Sequence, residues 1–192
     1  MWFVVWVMMM SAYRSVLPFS AQYEETQAAI SGGAAQEAAT VARWRVWRDS
    51  QGRLRQEVNW LADSSESIRL AIIIDPSSGR MALIDVASGK ALDEGSSALG
   101  SLPEGLASLG MTPEGGGTGT PATVPLGDRL IEGQQARGER LILEDRTVEI
   151  WRSPALIDFP LLIRTTTATE ERTRRLFDIE FIEPDPSLFK IP

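Results

Sequence analysis

The chain has 192 residues, of which 43% are hydrophobic and 23% charged, enough apolar content for one packed domain and too much for a disordered chain. Its net charge is −7, which argues against nucleic acid as a partner, because each phosphate contact needs a local Lys or Arg. Cys and His are both absent. That excludes Cys/His zinc sites, thiol chemistry, imidazole-based triads and the acylated Cys of a bacterial lipoprotein.

Trp2 to Met10 is an unbroken apolar run. It is shorter than the ~20 residues that span a bilayer and suits a signal-peptide core of about 7–15. Pro18 then breaks the pattern, and Phe19-Ser20-Ala21 precedes Gln22. Residues 1–21 are therefore expected to be a signal peptide, with a single domain over 22–192 in the periplasm or outside the cell. No Lys or Arg precedes the apolar run, and Phe19 is bulky for the third position before a cut. The competing reading is a buried strand or a short uncleaved anchor.

Residues 22–39 are open between two forms. Tyr23 to Ile30 has helical propensity, but Ser31-Gly32-Gly33 suits the turn of a hairpin. From Val41 the chain alternates, with Trp44 and Val46 on one side of the pleat and Arg43 and Arg45 on the other. Asp49-Ser50-Gln51-Gly52 turns it. Leu54, Gln56, Val58 and Trp60 then share the face of a returning strand. Ile68, Leu70, Ile72 and Ile74 form the next such row, Asp75 to Gly79 turns, Arg80 to Val86 returns, and Ala87 to Lys90 turns again.

Residues 93–122, rich in Gly, Ser, Pro and Thr, read as a flexible insertion with a short helical turn near Leu102 to Leu109, the alternative being a lid or partner-docking loop. Strands are expected at Val124–Glu132, Glu139–Glu144, Thr147–Arg152, Leu161–Thr167 and Arg172–Ile182. In the last, Arg175, Phe177, Ile179 and Phe181 are expected on one face, and Arg174, Asp178 and Glu180 on the other. Strands in this number, joined by short turns, predict a mainly β, antiparallel meander. In the final run, Glu183-Pro184-Asp185-Pro186-Ser187-Leu188-Phe189, the prolines stop the strand. Leu188 and Phe189 are then expected to plug the sheet edge or barrel end.

The ordered motifs resemble an uncharacterised family of secreted bacterial proteins, distantly similar to the periplasmic lipoprotein-carrier fold. They are Trp47 to Arg53, Asp75-Pro76 with Gly79, Leu126-Gly127, Ile131-Glu132-Gly133, Ala136-Arg137-Gly138, Glu149 to Pro154, and Glu183 to Phe189 with Pro192. The resemblance implies a strongly curved antiparallel sheet, a half-barrel with little helix, and it favours the hairpin over residues 22–39. The chain departs from that pattern in its tight Asp145-Arg146 connection and at Thr167-Ala168-Thr169-Glu170.

No motif calls for a cofactor or metal. Asp178, Glu180, Glu183 and Asp185 cluster without calcium-loop spacing. Gly115 to Gly119 lacks a phosphate-loop ending, and Ser153 has no imidazole to activate it. An enzyme is not expected. Arg172, Arg174 and Arg175 beside Glu170 and Glu171 read as cross-strand ion pairs. The tryptophans Trp44, Trp60 and Trp151 fit a core, and they are also the candidate lining of an apolar groove. The expected function is a non-enzymatic periplasmic binding or carrier-like protein for a lipid or other apolar ligand, peripheral to the membrane at most. The alternative is a structural or regulatory interaction module docking an envelope protein.

Overall fold

The computed structural model describes residues 16–60, 69–94, 122–157 and 159–192. Its strands in chain order are β1 (Phe19–Ser31), β2 (Ala34–Ala35), β3 (Ala39–Arg48), β4 (Leu54–Trp60), β5 (Arg69–Asp75), β6 (Arg80–Asp85), β7 (Lys90–Glu94), β8 (Ala122–Ile131), β9 (Gln134–Ile142), β10 (Arg146–Ser153), β11 (Phe159–Thr167) and β12 (Glu170–Glu180). All join one antiparallel sheet in the order β7-β6-β5-β4-β3-β1-β12-β11-β10-β9-β8, with the short β2 pairing off this path with β1. The sheet is not closed, so β7 and β8 are its edges. Among the described residues no helix is long and apolar enough to cross a membrane.

The first hairpin forms because Gly32 and Gly33 hold φ of 62° and 81°, the left-handed pair that a tight two-residue turn requires. The next turn is built by Asp49. Its buried carboxylate accepts from the backbone N–H of Gln51 at 3.0 Å and of Arg53 at 2.8 Å, and pairs with Arg53 Nε at 2.6 Å.

Irregularities curve the sheet. Register shifts interrupt β1–β3, β1–β12, β10–β11 and β8–β9, and each extra residue bends its strand and adds twist. Side chains therefore meet across intervening strands. Tyr23 on β1 donates its hydroxyl to the Pro160 carbonyl on β11, past β12. Phe19 on β1 meets Phe159 on β11 edge to face, with ring centroids 5.2 Å apart. The face on which these contacts close is the concave side of a half-barrel. It carries Phe19, Ala21, Tyr23, Trp44, Val46, Val58, Ile72, Met81, Leu83, Leu161 and Leu176 in the main core.

Several expectations shift. The expected end of the leader, Ala21, lies inside β1, where Phe19 is fully buried and pairs with Arg48. Residues 1–15 and 95–121 lie outside the described residues, and with them the apolar run, the helical turn near Leu102 and most of the insertion. Lys90 to Glu94 forms a strand that its short polar pattern did not announce. On β12 the expected alternation fails. Leu176 is the fully buried residue, paired with Tyr23, and Asp178, at φ 51°, breaks the alternation beyond it, leaving Phe181 exposed.

The C-terminal run plugs neither an edge nor an end. It crosses the convex face. Glu183 accepts from Ser50 N–H and Oγ at 3.1–3.2 Å, the Leu188 carbonyl accepts from Arg55 Nη1 at 2.8 Å, and Phe189 is buried beneath Arg53, 5.0 Å from ring to guanidinium. Ile191 then packs on Ala71, Ile73, Ala82 and Ile84, a second cluster on the outer side of β5 and β6. Both faces of β5 are apolar because both are covered.

Candidate functional site

The concave face is apolar but not purely so. Beside Trp44 on β3, Val58 pairs directly across on β4, and Gln56 is the diagonal neighbour; such diagonal positions lie within reach of long side chains. Trp44 and Gln56 are 3% and 4% exposed, and Trp44 Nε1 and Gln56 Oε1 are both buried without a hydrogen-bond partner. Ile72 pairs with Gln56, and Leu83 with Ile72. One unmet donor and one unmet acceptor thus sit in an apolar row. Each such group costs about 1–3 kcal/mol when left unsatisfied.

Charge enters this face at two places. Glu25, buried on β1, pairs with Arg174 on β12 at 2.9 Å. The Arg174 guanidinium also lies 5.1 Å from the Trp44 ring centroid, so ion pair and indole form one unit. Burial pushes the neighbouring Tyr23 phenol well above its ordinary range, and Arg174 opposes that shift. At the end of β3, the Arg48 guanidinium is 4.9 Å from the Phe19 ring centroid and 5.9 Å from that of Phe159. It donates to the carbonyls of Leu156 at 2.7 Å and Leu17 at 3.3 Å, and its Nε is buried and unmet. Burial lowers its pKa to about 10.

Of the three tryptophans, Trp44 and Trp151 belong to one buried core cluster. Trp60 ends β4, and its side chain lies outside the described residues. Trp151 follows the ladder Trp151–Leu162–Arg175–Glu24–Arg43. A register shift beside Trp151 interrupts that ladder, and Trp151 packs in the same buried core cluster as Phe19, Tyr23, Trp44 and Leu176. Its ring lies over Gly138, where a Cβ would come within 2.6 Å of it, and Arg129 covers it at 3.8 Å.

Ser153 Oγ is buried and unmet, and among the described residues no group of three or more His, Cys, Asp or Glu is placed to hold a metal. The face presents an apolar wall with an indole N–H donor, an amide oxygen acceptor and a guanidinium. Gln56, Glu25, Arg48 and Arg174 were not singled out for this face from the sequence. The signal available was polarity inside an apolar row, Gln56 between Leu54 and Val58, and Arg48 after Trp44 and Val46.

No family model matches the chain, and no curated protein matches it. Similar solved structures exist. PNGF-II is 10% identical with a TM-score of 0.49, over 91% of this chain and 30% of that one. MucB in complex with MucA is 12% identical with a TM-score of 0.48, over 98% of this chain and 59% of that one. A putative outer membrane lipoprotein-sorting protein domain from Vibrio parahaemolyticus is 13% identical with a TM-score of 0.40, over 90% and 89%. The chain spans less than two thirds of the first two, and at these scores the likenesses transfer no ligand, partner or reaction.

Proposed function

We propose that this protein is a non-enzymatic binding module of the bacterial envelope, exported through the apolar run Trp2–Met10, whose half-barrel receives an apolar or lipid-bearing ligand on its concave face. The observation that supports this is the pair of buried, unmet groups, Trp44 Nε1 and Gln56 Oε1, set among Val58, Ile72 and Leu83. A folded chain gains nothing from hiding a donor and an acceptor without partners. A ligand whose apolar part displaces the packing along β3–β6, and whose polar part meets these two groups, recovers both terms.

The test is a titration of the purified protein with a dansylated long-chain fatty acid, read by energy transfer from tryptophan. Saturable binding is expected, with transfer reduced in Trp44→Phe and affinity reduced in Gln56→Leu. Dansyl emission that stays at its aqueous wavelength throughout the titration would count against the proposal.

A further inference from the structure

Four of the large apolar side chains exposed on this molecule gather at one end of the sheet. Leu17 leads into β1, Phe181 and Ile182 follow β12, and Ile157 tops the β10–β11 connection; they are 39%, 45%, 53% and 45% exposed. β1, β12, β11 and β10 are consecutive in the sheet, and the antiparallel pairings bring these termini to the same side. Arg48 ties the group together, donating to the Leu17 carbonyl and to that of Leu156, next to Ile157. Ile157 is held at φ 56°, ψ 57°, a left-handed conformation that β-branched residues avoid. An apolar, β-branched side chain kept strained at an exposed tip gains nothing for the fold itself.

Carboxylates run through this surface. Asp178, Glu180 and Glu183 interleave with Phe181 and Ile182, and Asp185 follows. All four are exposed, and none forms an ion pair among the described residues. Asp178 accepts from Gln22 Nε2 and Glu183 from Ser50, which leaves their charge uncompensated. Surfaces that settle on bilayers carry Lys and Arg toward anionic headgroups; this one carries the opposite sign.

We infer that this end of the half-barrel docks a protein segment that presents apolar side chains flanked by Lys or Arg, with Leu17, Ile157, Phe181 and Ile182 as the apolar centre and Asp178, Glu180 and Glu183 as the acidic rim. An apolar centre within a charged rim is the anatomy of a protein interface, and the rim sets the sign of the partner. The site is separate from the concave face and stands or falls independently of ligand binding there.

The probe is a synthetic amphipathic peptide of Leu and Lys, measured by fluorescence anisotropy beside its Leu/Glu counterpart and beside phosphatidylcholine vesicles. The Leu/Lys peptide should bind and weaken with added salt, and the Leu/Glu peptide and the vesicles should not bind. Phe181→Ser with Ile157→Ser, which leaves the charge unchanged, should lower affinity by about tenfold, as should Glu180→Gln with Glu183→Gln. Equal melting temperatures of the variants would exclude misfolding as the cause, and Ile182→Ser substitutes for any variant that melts early. No binding of the Leu/Lys peptide, equal binding to the serine variant, or preference for the vesicles would each overturn the inference.

Discussion

Gly138→Ala is the smallest change the structure marks as unacceptable. A Cβ on Gly138 would lie 2.6 Å from Cε3 and Cζ3 of Trp151 and 2.7 Å from Cη2, where carbon pairs rest at about 3.5–4.0 Å. The indole has no easy retreat, because Arg129 covers its ring at 3.8 Å and the side chain is buried. Overpacking of this kind costs about 1–3 kcal/mol. An alanine also stiffens the unfolded chain, which returns about 0.4–1 kcal/mol. A net loss of about 1–2 kcal/mol is expected, read as a lower urea midpoint at unchanged slope. Trp151→Leu is destabilising by itself, but combined with Gly138→Ala it should restore most of the glycine penalty, a coupling near 1 kcal/mol in a double-mutant cycle. A neutral Gly138→Ala, or strictly additive effects, would refute the packing described for β9 and β10.

Phe189→Ala should cost about 3 kcal/mol, in the range of buried Phe truncations, while Leu188→Ala, half-buried in the same strap, should cost about 1 kcal/mol; denaturant unfolding separates them. Glu25→Ala breaks the 2.9 Å ion pair with the half-buried Arg174 and should cost about 1–3 kcal/mol, whereas the exposed ion pair tested by Asp128→Ala should cost under about 1 kcal/mol. A chain starting at Gln22 loses the buried Phe19 and should melt well below one starting at Val16, by thermal unfolding of the two purified forms. The Asp75 carboxyl is lowered from 3.8 to about 2, chiefly by the Ser77 hydroxyl. Its stabilisation is therefore complete above pH 3.8 and lost as pH falls toward 2, and Asp75→Asn should flatten that part of the melting-temperature profile.

Much of the fold was legible because the alternation was clean and the turns were chemically explicit. Trp44 and Val46 face inward as their spacing requires, and Asp75-Pro76-Ser77-Ser78-Gly79 turns where its residue types demand. What was hidden depends on neighbours in space. The break in alternation beyond Leu176 on β12 follows from a single left-handed residue, Asp178, which no period-two pattern reveals. Trp44 and Trp151 come from β3 and β10, far apart in the strand order, and only the curvature of the sheet gathers them into one core cluster. The role of the C-terminal run was half legible. Its prolines do stop the strand, but the convex target appears only once Ala71 and Ile73 are seen to be buried on the second face of β5.

The candidate site was legible in its apolar part alone. Gln56 and Arg48 stood in the apolar rows as exceptions, and burial turns those exceptions into the features most indicative of a ligand. Glu25 and Arg174 lie 149 positions apart, and only the β1–β12 ladder makes them a pair.

An apolar ligand held on the concave face should survive isolation of the protein from bacterial envelopes without detergent. Extraction into organic solvent and mass spectrometry should then give one acyl-bearing molecule per chain, depleted in Gln56→Leu. A wild-type protein that yields no lipid, or a Gln56→Leu protein that carries as much as the wild type, would contradict binding on this face.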